Sequence, residues 1–119
     1  MATPTVNFQI SSAQFVSLIR VLRAEMNQHL DTIDRSDRHE VRLFEMNYWL
    51  MIDWITKADK AADKSQLKVK IDLMYAKAFI EYWSPVSLPM YEETLLRKAI
   101  VNLNRSIDII AAKRGFINL

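Results

Sequence analysis

The sequence contains no cysteine and only one glycine, Gly115, among its 119 residues. Without cysteine the chain has no disulfide, no thiolate metal ligand and no cysteine nucleophile, and it is compatible with a reducing compartment. With one glycine it has no glycine-rich loop of the kind that binds nucleotide phosphates. These absences exclude thiol chemistry and disfavour nucleotide hydrolysis.

Long apolar runs and a dominant sign of charge are also missing. No apolar run approaches the roughly 20 residues that span a bilayer, and the first ten residues lack the basic and apolar regions of a secretory signal. The chain has 16 basic and 14 acidic residues, a formal net charge of +2, whereas nucleic-acid binders usually concentrate a larger excess on one face. We therefore expect a cytoplasmic protein that does not enter membranes.

The three prolines, Pro4, Pro85 and Pro89, leave the interval from Ser12 to Ser84 without a strong helix breaker. Apolar residues recur there at three- and four-residue steps, as they do on helices that pack against a core. The pattern predicts four helices, at about residues 12–32, 37–58, 64–84 and 88–114. We predict one all-α domain over residues 1–119, an up-down-up-down four-helix bundle with short extended termini.

Two sequence features mark the ends of these helices, and both chain ends carry apolar residues. Ser11 and Gln14 have capping-box spacing at the start of helix 1, and Gly115 is expected to close helix 4. Near the amino end, apolar residues alternate with polar ones, and residues 116–119 form a short apolar tail. The alternating residues are Val6, Phe8 and Ile10. Such ends form either extended arms or a cover over the mouth of the bundle.

Helices 2 and 3 are apolar on two sides, whereas helices 1 and 4 each show one broad apolar face. In helix 2, one stripe runs through Phe44, Tyr48 and Ile52. A second stripe, on another side of the helix, runs through Leu50 and Trp54. A helix that is apolar nearly all round must be buried nearly all round. We therefore predict an interface formed by Leu43, Met46, Leu50, Trp54, Val69, Leu73, Ile80 and Trp83.

The pattern leaves open what covers this predicted interface. The pattern is compatible with a homodimer contact, with a site for another protein, and with a surface covered by the chain's own termini. The segment 57–66 has no residue that forces a turn, so helices 2 and 3 are either separate helices or one continuous helix. The rotation of the apolar stripe between them favours a bend.

Basic residues gather around the predicted turn between helices 2 and 3. They are Lys57, Lys60, Lys64, Lys68 and Lys70, with Asp59, Asp63 and Asp72 between and beside them. Such a cluster is either an ordinary solvated helix end or a basic patch for an acidic surface or a phosphate backbone. It is the basis of an alternative prediction, a nucleic-acid-associated helical protein.

The titratable residues give little support for catalysis. Glu25 precedes His29 by four residues rather than by the three of the Glu-x-x-His motif of di-metal bundles, so we expect no metal and no cofactor. His29 lies at the edge of the apolar face of helix 1, where a hydrogen-bonded boundary histidine is the main interpretation and a ligand or base the alternative. His39 is interpreted as part of a solvated capping turn.

Arg23 and His29 resemble the arginine–histidine pair of the HEPN family of helical toxin ribonucleases. The resemblance covers these two residues, and it departs from the family pattern at Ala24, where a polar residue usually follows the arginine. The pair also lies on the first helix rather than on a later one. The resemblance implies RNA cleavage that requires His29, and it is the least favoured alternative.

The leading prediction is a small protein without enzymatic activity that binds another protein. It acts as a regulator, inhibitor or assembly adaptor and self-associates, as a dimer, through helices 2 and 3. Nucleic-acid binding through the lysine cluster is the alternative.

Overall fold

The structure is a computed structural model, and it describes residues 4–61 and 64–113. Four helices and two strands follow one another along the chain. They are β1 (Thr5–Ile10), α1 (Ser12–Thr32), α2 (Arg38–Ala61), β2 (Leu67–Asp72), α3 (Leu73–Trp83) and α4 (Met90–Lys113). The predicted residues Gly115 and 116–119, and the predicted end of helix 4 at residue 114, lie outside the described residues.

The prediction of an all-α bundle is wrong. Helices account for 74% of the described residues, and β1 and β2 pair as a two-stranded antiparallel sheet, so the fold is a mixture of α and β. The first part of the predicted helix 3 forms β2, and α3 is shortened to 11 residues. Because β2 stands between α2 and α3, those two helices are not one continuous rod.

Both strands follow a period of two. Residues 67–72 alternate Leu, Val and Ile with Lys and Asp, and their burial alternates in the same way. Residues 5–10 show the same alternation, with Val6, Phe8 and Ile10 buried. In the register, Val6 lies opposite Ile71 and Phe8 opposite Val69. One face of the sheet therefore packs on the core, and the amino-terminal apolar residues form a strand rather than a free arm.

The core lies between this face of the sheet and the four helices. At its centre, the rings of Phe8, Phe15 and Trp54 contact one another, with centroids 5.3 to 6.4 Å apart in edge-on or tilted geometry. Phe79 of α3 extends the cluster, with its ring centroid 5.2 Å from that of Trp54. Edge-on contacts of this kind add to the stabilisation that burial of the rings provides.

The helix starts follow from side chains that accept backbone hydrogen bonds. The predicted capping box of α1 is confirmed, because the Ser11 hydroxyl accepts from the N–H of Gln14 and the Gln14 side chain accepts from the N–H of Ser11. At α2, one carboxylate oxygen of Asp37 accepts from the N–H groups of His39 and Glu40. These contacts use donors that a helix leaves free in its first turn.

Arg97 of α4 holds the connection between α3 and α4. Its guanidinium donates to the carbonyl oxygens of Ser84 and Val86 and to the carboxylate of Glu93. Glu93 in turn accepts from the N–H of Leu88 at 3.0 Å. The connection is therefore fixed by one ion pair on the first turns of α4. Among the described helices, none is long and apolar enough to cross a membrane.

Candidate interaction surfaces

Half of the predicted interface residues lie in the core of the single chain. Leu50, Trp54, Val69 and Trp83 are buried, with Trp54 and Trp83 fully inaccessible. Their apolar character is explained by packing within the chain, and a partner does not reach them in this fold. The other four, Leu43, Met46, Leu73 and Ile80, are half-buried.

The exposed apolar surface of α2 is centred on other residues. Tyr48, Trp49 and Ile52 expose 50%, 60% and 40% of their surfaces, and the rings of Tyr48 and Trp49 contact each other edge-on. These three residues are named the aromatic patch. The sequence pattern placed Tyr48 and Ile52 on the stripe of helix 2 that was not part of the predicted interface, and it left Trp49 unassigned. The signal that could have located the patch is that Tyr48 and Trp49 flank the angular position of Ile52 on a helical wheel.

The predicted lysine cluster forms one concave surface. Lys57 and Lys60 of α2, Lys64 of the loop, and Lys68 and Lys70 of β2 line a single groove of about 400 Å³. Ala61, Leu67 and Val69 complete its lining, and none of these described lining residues is acidic. This surface is named the lysine groove. The structure therefore brings together all five residues of the predicted basic patch.

The lysine groove runs along the free edge of β2. In an antiparallel pair, successive residues direct their N–H and C=O groups alternately toward the partner strand and away from it. The N–H of Leu73 donates to the carbonyl oxygen of Pro4 at 2.9 Å, so the backbone N–H and C=O groups of the odd-numbered residues in β2 point toward β1. The carbonyl of Lys70 faces the other way and accepts from the Lys57 ammonium at 2.9 Å. The backbone N–H and C=O groups of Lys68 and Asp72 also point away from β1.

A second groove, of about 290 Å³, adjoins the first. It shares Lys57 and Lys70 with the lysine groove, and the rings of Trp49 and Tyr75 stand beside it. Asp53 pairs there with Lys57 at 3.0 Å. The edge of β2 is thus basic at its Leu67 end and aromatic at its Asp72 end.

His29 lies in a hydrogen-bonded cluster between three helices. Its Nε2 is 2.8 Å from the Glu40 carboxylate and its Nδ1 is 2.6 Å from the Tyr82 hydroxyl. Because a carboxylate only accepts, Nε2 carries a proton, and in a neutral ring Nδ1 accepts from the phenol. Burial, aided by the negative charges of Glu40 and Glu25, raises the pKa of Tyr82 to about 12. The phenol therefore stays protonated at neutral pH, and the cluster ties α1, α2 and α3 together.

Arg23 and His29, the pair that resembles the HEPN motif, line different cavities. Arg23 lies with Arg20 and Asn27 in a groove between α1 and α2. His29 borders a cavity of about 340 Å³ together with Tyr82 and other residues of α2 and α3. The structure does not place the two side chains around a common space in which an RNA phosphate could be bound by both.

His39 lies on the surface, where its Nε2 is 2.8 Å from the Glu81 carboxylate. The hydrogen bond that His39 donates to Glu81, together with the negative charge of Glu81, raises the pKa of His39. This contact joins the start of α2 to α3. Within residues 4–61 and 64–113, no three histidine or acidic side chains converge as metal ligands do.

The chain was compared with known families, proteins and structures. No protein-family model matches it, and neither does any curated protein or any solved structure.

Proposed function

We propose that this protein is a non-enzymatic protein-interaction module, a regulator, inhibitor or assembly adaptor, that pairs with a second copy of itself through the aromatic patch. The observation that carries the proposal is the exposure of Tyr48, Trp49 and Ile52 side by side on α2. Aromatic residues are enriched at protein interfaces, and neighbouring exposed apolar side chains mark interaction sites. We therefore assign the dimer interface to the outer face of α2. The predicted interface included Leu50 and Trp54, which pack in the core of the single chain.

The charges around the patch support a second copy as the occupant. A two-fold interface places a surface against the same surface, so a patch of one sign repels itself. The lysine, arginine and acidic side chains of α2, the helix that carries the patch, comprise four basic and four acidic groups, which cancel. They are Arg38, Glu40, Arg42, Glu45, Asp53, Lys57, Asp59 and Lys60. Two copies can therefore approach without net repulsion.

We include the cytoplasm in this proposal, because a chain without cysteine needs no oxidising compartment to form disulfides. No residue is assigned a catalytic role. The hydrogen bonds of His29 and His39 to side chains on other helices support a structural role for both.

The proposal is tested by the mass in solution of the variant Trp49→Glu with Ile52→Glu, measured by light scattering over a concentration series. The wild type is expected to be a dimer, and the variant a monomer, because burial of two carboxylates in an apolar interface is strongly unfavourable. Since both side chains are exposed in the single chain, the variant is expected to fold normally by circular dichroism.

The matched control is Val101→Glu with Ile109→Glu, which adds the same charges to exposed apolar positions of α4. This control is expected to remain a dimer. A wild type that is monomeric throughout the series, or a patch variant with the wild-type mass, contradicts the proposed self-association.

A further inference from the structure

We propose that the lysine groove and the free edge of β2 bind an acidic protein segment in extended conformation, which adds to the sheet as a third strand. This site concerns a different partner, and it adjoins the aromatic patch at Trp49, which lines the neighbouring groove. The inference rests on three features of the described residues: unpaired backbone groups, a one-sign groove beside them, and the alternation of side chains along β2.

The first feature is the edge itself. Among the described residues, the outward N–H groups of Lys68, Lys70 and Asp72 make no backbone hydrogen bond. An exposed strand edge is a template for another strand, because its donors and acceptors already have the spacing of a ladder. Several peptide-binding domains use this mode, in which the main chain supplies affinity and the side chains supply specificity.

Charge determines which segment fits. Five ammonium groups line the lysine groove, and no described residue of its lining is acidic. One of these ammonium groups, that of Lys57, pairs with Asp53 at 3.0 Å, and Asp53 lies in the adjoining groove. A segment rich in Glu or Asp therefore complements this surface, and a basic segment is repelled.

Lys57 occupies part of the position that the third strand would take. Its ammonium donates to the outward carbonyl of Lys70, which is the acceptor that an incoming N–H requires. When the segment pairs with Lys70, its own N–H replaces the ammonium. The released ammonium is then beside the segment and can pair with one of its carboxylates, so the exchange loses no hydrogen bond at the Lys70 carbonyl.

The alternation along β2 defines the order of residues in the segment. Lys68 and Lys70 both point to the exposed face of the sheet, whereas Val69 points to the core. On an added strand, every second side chain lies beside those lysines, and opposite charges across neighbouring strands attract. The segment that fits therefore carries acidic residues at alternate positions. A nucleic-acid backbone could use the charges but could not form the ladder, so a peptide is favoured.

The test uses a fluorescein-labelled peptide of alternating Glu and Val, as long as β2, and follows its fluorescence anisotropy with the full chain. A second peptide has the same sequence but carries N-methyl groups on those backbone nitrogens that would donate to β2. We expect the first peptide to bind, and the methylated one to bind about tenfold or more weakly, because methylation removes ladder donors and leaves the charge unchanged.

The variant Lys60→Gln, Lys64→Gln, Lys68→Gln is expected to lose binding of the first peptide. Its matched control, Lys77→Gln, Lys98→Gln, Lys113→Gln, removes the same charge from exposed positions outside the groove and is expected to bind as the wild type does. The comparison of Lys70→Pro with Lys70→Gln separates the contribution of the backbone hydrogen bond to peptide binding from that of the charge. Both variants lack one ammonium group, and only the proline variant also lacks the outward N–H.

The inference is overturned if neither peptide binds at low salt, or if both bind equally. A single-stranded oligonucleotide serves as the competing probe. If it binds more tightly than the first peptide, and if this binding is lost in the groove variant, then the groove recognises phosphate by charge alone and the third strand is excluded. Circular dichroism of each variant checks that lost binding does not result from unfolding.

Discussion

Asn47 lies in the core between α2 and α3, where its side-chain amide donates to the carbonyl oxygens of Leu43 and Ala78. Its carbonyl oxygen accepts from the indole N–H of Trp83 at 3.2 Å. Among the described residues, Asn47 is the only polar residue that is fully buried. Because leaving these buried groups unpaired costs free energy, the hydrogen bonds of this amide favour one position of α3 against α2.

Asn47→Leu keeps the approximate size of the side chain and removes these hydrogen bonds. The indole N–H of Trp83 is then buried without an acceptor, and we expect the free energy of unfolding to fall by about 1–3 kcal/mol. Urea unfolding followed by circular dichroism measures the change. Asn104→Leu, at an exposed position of α4, is the control and should change stability little. Equal stability of the two variants would show that the bonds of Asn47 contribute nothing.

At the scale of the elements, β2 has one edge paired with β1 and one free edge. The register with β1 determines which backbone N–H groups of β2 point to each edge. Val69 and Ile71 lie opposite Phe8 and Val6 in the hydrogen-bonded positions, whereas Lys68 and Lys70 direct their N–H groups outward. Many proteins carry lysines on an edge strand, where their charge limits edge-to-edge aggregation, and the lysines at the free edge of this small sheet can act in the same way.

Amide hydrogen exchange measured by NMR should reveal this alternation. We expect slow exchange at Val69 and Ile71 and fast exchange at Lys68 and Lys70, because only the inward N–H groups are bonded to β1. The contrast should diminish when a strand-adding peptide is bound. Uniformly fast exchange along β2 would contradict the pairing with β1, and uniformly slow exchange in the protein without peptide would contradict the free edge.

At the scale of the whole molecule, one contribution to the pH dependence of stability comes from Glu93, whose carboxylate holds the connection between α3 and α4. The hydrogen bond from Arg97, aided by that from the N–H of Leu88, lowers the pKa of Glu93 below its usual value of 4.5. A lowered pKa in the folded state stabilises the fold above pH 4.5, and this contribution is lost as the pH falls through the folded pKa.

Glu93→Gln should therefore be less stable than the wild type at neutral pH, with a difference that shrinks as the pH falls below 4.5. Thermal or urea unfolding over a pH series measures both proteins. Glu45→Gln removes an exposed carboxylate from α2 and serves as the control. A difference between wild type and Glu93→Gln that is independent of pH would mean that the ionised carboxylate is not what stabilises this connection.

The helices that could be predicted from the sequence are those with their own start signals. α1 follows the Ser11 capping box and a single apolar face, so local information suffices. β2 could not be recognised as easily, because Leu67 and Ile71 are four residues apart and fit a helical stripe as well as an alternating strand. What decides between them is the pairing with β1, a contact between distant parts of the chain that local periodicity does not report.

The same limit applies to the candidate site. The five lysines could be read from the sequence as a cluster, but their position along a strand edge depends on the sheet. The two apolar stripes alone did not locate the aromatic patch, because the number of apolar residues on α2 exceeds what one face needs and packing decides which of them are left outside.

The pairing of β1 with β2 has a consequence for the chain while it is being synthesised. The ribosome synthesises Val6, Phe8 and Ile10 before α1 and α2, and it synthesises their partners, Ile71, Val69 and Leu67, only after those helices. During that interval β1 has no partner strand to form hydrogen bonds with and no completed core to bury its apolar side chains. Closing so large a loop slows folding, so the nascent chain must keep an apolar, strand-forming segment from associating with other chains until its second half has emerged.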